Sequence, residues 1–156
     1  MGVLERLHEL GLELPAPSGP LPGVRPNILP ARRSGRLLFL SGNGPFRGGE
    51  MPYLGKVGSD LTVEQGYEAA RLTALNLLLV IEQELGDLDH ITWIKSLGMV
   101  NSAAGFTQQP AVINGFSDLI VELYGDARGL HGRSAVGVAE LPANLPVEVE
   151  SIVEVD

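Results

Sequence analysis

The stretch HGRSAVGVAELPANLPVEVE, residues 131–150, decides the fold. It reads as two short strands joined by a turn held between Pro142 and Pro146. Side chains alternate across a strand, so Val147, Val149, Val153 and Val155 share one face. Glu148, Glu150 and Glu154 share the other, and a solvated face accounts for Glu150 and Glu154. Arg133 opens the first strand and Glu148 sits inside the second. Each is an ordinary surface residue or a functional one, suited respectively to gripping a carboxylate and to holding a water. If the turn centres on Asn144, Glu148 pairs near Glu140. Arg133 then stands seven residues, 133 to 140, from that partner. At about 3.3 Å per residue the separation is roughly 23 Å within one chain. A site using both therefore draws them from different subunits, and the sheet face not covered by helices awaits a partner. The expected consequence is an oligomer with sites at its interfaces.

Working outward, residues 110–125, PAVINGFSDLIVELYG, read as a helix with Pro110 near its first turn and Gly125 at its end. HITWIKSLGMVNS, 90–102, reads as a strand. A longer helix precedes it. Thr62 and Gln65 make a capping box, Glu64 suits the positive helix start, and Gly86 is a C-cap candidate. Ala70, Leu72, Leu75, Leu78, Leu79, Ile81 and Leu85 spread round much of this helix, which fits packing against a sheet. RLLFLSG, 36–42, is a strand ended by glycine. Residues 42–58 form a glycine-rich loop without the lysine and following helix of a phosphate loop. Residues 1–11 form a short amphipathic helix, and 12–30 an extended Pro/Gly-rich arm. The order of elements predicts an α+β domain over 1–156, with helix and arm in 1–30 and the core in 31–156: two helices on one face of a mixed sheet.

The chain has 156 residues, 44% of them apolar, a mean hydropathy of +0.15 and a formal net charge of −8. One globular domain is the expectation. No basic stripe for phosphate backbones is present, so no nucleic-acid partner is expected. The absence of cysteine excludes disulfides, thiolate zinc sites and a cysteine nucleophile. His8, His90 and His131 are far apart in sequence, so no metal is expected. No signal peptide is evident, and the longest unbroken apolar run, 77–81, is too short to cross a bilayer. A cytoplasmic location without membrane association is the simplest expectation.

FLSGNGP (39–45), GKVGSDLTVEQGYEAARLTALNLL (55–78), VINGFSDL (112–119), GRSAVGVAELP (132–142) and VEVESI (147–152) together give the chain a likeness. It resembles the YjgF/Rid family of reactive-intermediate deaminases, also called L-PSP endoribonucleases, in the longer branch with an N-terminal extension. The resemblance implies a chorismate-mutase-like fold and a homotrimer whose sheets form a central barrel, with clefts between subunits. It implies that Arg133 binds a substrate carboxylate, that Ala135 offers backbone groups, and that Glu148 positions the attacking water. Ser41, Gly42 and Asn114 match family ligand-site positions. Asn43 stands where the family has glutamine, and His131 is a candidate for the cleft wall. No cofactor is implied, because the imine is already reactive.

The implied reaction is hydrolysis of a 2-imino acid or enamine to a 2-oxo acid and ammonia. Arginine's planar fork suits a carboxylate, and a carboxylate suits a water that must lose a proton. The chain departs from the family in lacking the usual tyrosine, since the matching region reads RPNILPARRSG, and in having Ala135 for cysteine. These departures keep a second reading open: a non-catalytic protein that binds a small carboxylate such as a 2-oxo acid. Ribonuclease activity is opposed by the acidity and the scattered histidines. Chorismate mutase activity would rest on the fold name alone.

Overall fold

The last strand explains the architecture. Val147, Val149, Ser151, Val153 and Val155 are buried on one side of it, while Glu148, Glu150, Ile152 and Glu154 face the other. A strand with one apolar row belongs inside a sheet covered by helices on one face. The computed structural model, which describes residues 1–21, 23 and 27–156, places it there. The elements are α1 (Val3–Glu9), β1 (Ala31–Ser34), β2 (Leu37–Asn43), α2 (Val63–Leu85), β3 (Ile91–Asn101), α3 (Gln109–Gly129), β4 (Gly132–Val138), a 3-10 turn (Pro142–Asn144) and β5 (Val147–Val155). The strand order is β1-β2-β5-β3-β4.

This order corrects the hairpin expected over 131–150. β4 does not pair with β5. It pairs parallel with β3, and β5 lies antiparallel between β2 and β3. The alternation in 131–150 reports two strands but not who pairs with whom. The deciding residue is on β3: Gly98, flanked by Ala135 on one side and Val149 on the other. A Cβ there would lie 2.7 Å from Ile113, so bare backbone at Gly98 lets α3 close down over the β3 centre. α3 is thus the crossover between two parallel neighbours, β3 and β4, as a parallel pair requires. α2 likewise connects β2 to β3, with β5 filling the gap between them. A further strand not anticipated, β1, pairs antiparallel with β2.

Local chemistry sets the helix limits. Thr62 accepts from the Gln65 amide and Gln65 reaches back to the Thr62 amide, closing the expected capping box. Gly86 ends α2 at φ 67°. Gly125, at φ 70°, breaks α3 as expected, but a further helical turn follows to Gly129. The helices meet closely because Gly115 has no side chain; a Cβ there would fall onto the Tyr67 carbonyl. Leu77, Leu78, Ile81, Trp93, Ile113, Phe116, Leu119 and Ile120 fill the space between helices and sheet. No helix of the described residues is long and apolar enough to cross a membrane.

No helix or strand of the described residues covers the opposite sheet face, and the N-terminal arm borders it beside Gly42 and Glu148. That face carries Phe39, Ile94 and Val136 exposed, with Leu97 and Ile152 half-buried among them.

Candidate active site

The expected site residues fall into two groups, one on each face of the sheet. The first gathers at the β4 edge under α3. Arg133 pairs across to Ser96, whose side chain is buried against the core, so Arg133 also projects to the helix face. There Nη1 donates to Asn114 Oδ1 at 2.9 Å and to Ser117 Oγ at 3.1 Å, and Nη2 donates to the Pro110 carbonyl at 3.4 Å. These bonds hold the guanidinium flat against the start of α3. They leave Nε–H and one Nη2–H unengaged among the described residues, and no described carboxylate pairs with it. Ala135, two residues on, faces the same way and packs on the core.

His131 completes this group, but as a support rather than as an open wall. Its Nδ1 lies 2.7 Å from the Gly129 carbonyl, which accepts, so Nδ1 carries the proton. Nε2 is left to accept from Ser117 Oγ at 3.2 Å. Trp93 and Phe116 enclose the ring. Burial first, then the charges of Arg133 and Lys95, push the His131 pKa below its usual 6.5, against the Gly129 bond. The imidazole is neutral and steers the Ser117 hydroxyl, whose oxygen receives the Arg133 proton. Ser117 was not singled out in the sequence. The signal was present: Ser117 follows Asn114 by three, which puts both on one helix face.

The second group surrounds Glu148, on the open face. Glu148 pairs with Met99, and Met99 pairs with Val136, three residues beyond Arg133. Two strand spacings and three residues separate the backbones of Arg133 and Glu148 by roughly 14 Å. The 23 Å expected from a hairpin is therefore too long. The two side chains nevertheless leave opposite faces of the sheet, so one chain does not bring them together.

Glu148 lies directly over Gly42. A Cβ at Gly42 would fall inside the contact distance of Glu148 Oε1, so only glycine permits this approach. A bulge in β2 between Leu40 and Asn43 brings Gly42 to the position. The Glu148 carboxyl is half-buried. Desolvation, and secondarily Glu150, raise its pKa above the usual 4.5. No described residue donates a hydrogen bond to it, which leaves its oxygens free for a water or a ligand.

Ser41 and Asn43 flank this carboxylate, yet both have other partners. The Ser41 hydroxyl donates to the Leu29 carbonyl at 2.6 Å and its amide to Pro30 at 2.9 Å, so Ser41 anchors the arm. Asn43 Oδ1 accepts from the Gly44 amide at 2.9 Å. Arg25 and Pro26, part of the stretch that lacks the tyrosine, lie outside the described residues.

Buried Asn101 and half-buried Lys56 fix the floor of this region. Asn101 Nδ2 donates to the Leu145 carbonyl at 3.1 Å, and Lys56 Nζ donates to Asn101 Oδ1 at 2.8 Å and to the Ala139 carbonyl. Gly55 donates to the Asn144 carbonyl at 2.8 Å. They hold Ala143 and Asn144 in the left-handed region, at φ 54° and 57°, and turn Leu145 inward.

A five-stranded mixed sheet under two crossover helices, with an arginine on one face and a raised-pKa glutamate on the other, defines an α+β protein of the chorismate-mutase-like type. The chain belongs to the family described as "YjgF/chorismate_mutase-like, putative endoribonuclease", whose profile matches residues 5–153. It is similar to Protein TCP17 of Trypanosoma cruzi, 41% identical over 157 residues, covering 99% of this chain and 94% of that protein. Among solved structures it is similar to Atu1372 of Agrobacterium tumefaciens, of unknown function: 41% identity, TM-score 0.88, covering 99% of this chain and 92% of that one. It is also similar to a Shewanella oneidensis MR-1 protein described as a "putative endoribonuclease": 31% identity, TM-score 0.92, covering 99% of this chain and 100% of that one. The matches span the N-terminal helix and arm as well as the core.

Proposed function

We propose that the protein hydrolyses 2-imino acids, or the enamines in equilibrium with them, to 2-oxo acids and ammonia, at sites shared between the subunits of a homotrimer. The observation that carries this reading is the Arg133 guanidinium, held by α3 with two N–H groups unengaged and no carboxylate partner among the described residues. Such a fork is prepared for an incoming carboxylate. Glu148 supplies the complementary group. Desolvation raises its pKa, which makes its carboxylate a better base than that of an ordinary surface glutamate.

In the reaction, Arg133 binds the substrate carboxylate and so fixes the adjacent C=N carbon. Glu148 accepts a proton from water as the water oxygen bonds to that carbon, and the imine nitrogen gains a proton. The resulting carbinolamine expels ammonia, the C–N bond breaks, and the hydroxyl becomes the carbonyl of the 2-oxo acid. Atoms balance with water as the sole co-reactant. Because the two side chains leave opposite sheet faces, Arg133 and Glu148 of one site come from neighbouring copies. The open face, with Phe39, Ile94 and Val136, is the surface we assign to the trimer barrel.

The test generates imines with an amino-acid oxidase and lets semicarbazide compete for them while free oxo acid is followed. Wild type accelerates its release, and Arg133→Ala abolishes the acceleration. No acceleration with any imine would overturn the reading. A second reading, carboxylate binding without turnover, has one observation behind it: the Ser41 hydroxyl is engaged by the arm rather than presented to a ligand. Tight oxo-acid binding without imine hydrolysis would favour it.

A further inference from the structure

Glu148 stands at the rim of a cavity of about 280 Å³ beneath the N-terminal arm. Leu21 and Ile28 of the arm form its roof, and Phe46, Pro142 and Leu145 form its walls. Among the described residues, no lysine or arginine lines it. Two glycines shape it. Gly42 admits the Glu148 carboxylate, and Gly44 lets Leu145 and the Phe46 ring meet, since a Cβ there would lie 2.8 Å from Leu145 and 3.2 Å from Phe46. The walls are rigid. Buried Asn76 holds the Phe46 carbonyl at 2.8 Å, and buried Asn101 holds that of Leu145. The roof is tied down through Ser41, which bonds the Leu29 and Pro30 carbonyls next to Ile28.

We infer that this cavity is a specificity pocket, in which the arm residues Leu21 and Ile28 select substrates with a branched aliphatic or single-ring side chain. The inference rests on the proposed placement of the reacting carbon beside Glu148. A substituent on that carbon then has one apolar recess to enter. The volume lies at the small end of ligand pockets, which suits such a group and not a larger one. Acidic side chains are repelled by the Glu148 carboxylate. Small side chains leave the recess unfilled and forgo its apolar contact.

The test uses the full chain, in wild type, Ile28→Asp and Leu145→Ala. Two readouts are taken: kcat/KM for imines derived from leucine, phenylalanine and alanine, and calorimetric affinity for 4-methyl-2-oxopentanoate, phenylpyruvate and pyruvate. Ile28 is exposed, so its replacement spares the core. Wild type should favour the leucine-derived member over the alanine-derived one in each readout by on the order of tenfold. Ile28→Asp should bring both ratios close to one, and Leu145→Ala should shift preference towards the phenylalanine-derived imine and oxo acid. Wild-type ratios near one, or ratios that both variants leave unchanged, would overturn the pocket while imine hydrolysis stands. If no imine is hydrolysed, the deaminase reading fails, and the affinity ratios judge the pocket alone. Failure of all three oxo acids to bind would overturn both.

Discussion

Arg133 takes its direction from the residues of α3 that hold it. Asn114 and Ser117 accept from one nitrogen of the guanidinium, and His131 orients the Ser117 hydroxyl. Replacing Ser117 with alanine removes one tether and the His131 partner together. The expected result is a KM raised several-fold with a smaller change in kcat, since a looser fork binds the carboxylate less well. Steady-state kinetics on one imine checks this. Glu148 gives a pH prediction. Its folded pKa is raised, so activity falls as pH drops through a value above 4.5, where the base becomes protonated. The stability effect has the opposite sign: the folded state holds this proton more tightly, so its favourable contribution is present at low pH and is lost as pH rises through the folded pKa. Glu150→Gln should move the acidic limb of the kcat/KM profile only part of the way back, because desolvation is the larger cause. A third expectation concerns Ala143, at φ 54°. Ala143→Gly relieves left-handed strain and should stabilise by about 0.5–1 kcal/mol in thermal melts. At this scale the sequence singled out Arg133 and Asn114, which the structure joins by a hydrogen bond, and Glu148, which it half-buries beside Gly42. It was silent where function depends on who occupies a hydroxyl: Ser41 looked like a ligand group and is tied to the arm.

Elements were legible wherever a local signal fixes them. The Thr62–Gln65 box, Gly86 and Gly125 mark α2 and the break in α3 within a residue or two. The valine alternation put β5 in a half-covered sheet. Pairing was not legible. A turn between two prolines suggests a hairpin, yet a connection tied by Lys56 and Asn101 carries the chain past β3 instead. That tie joins residues far apart in sequence, so no local pattern announces it. β1 was missed because ARRS has only one buried position, Ala31. The close approach of α2 and α3 gives an element-scale test. Gly115→Ala places a methyl against the Tyr67 backbone carbonyl and should cost about 1–3 kcal/mol, seen as a lower denaturation midpoint.

One sheet face is covered by helices, and the other presents apolar side chains beside acidic ones. Arg133 and Glu148 belong to opposite faces, so a shared site requires more than one copy. The most direct measurement is complementation between two inactive variants. Arg133→Ala and Glu148→Gln are purified separately, unfolded, mixed in equal amounts and refolded, and imine hydrolysis is assayed. The account predicts that neither variant alone is active and that the mixture recovers about a quarter of wild-type activity, the share of interfaces holding both intact residues in randomly mixed trimers. A mixture as inactive as its parents, beside refolded wild type that is active, would place both residues in one subunit's site and contradict the account.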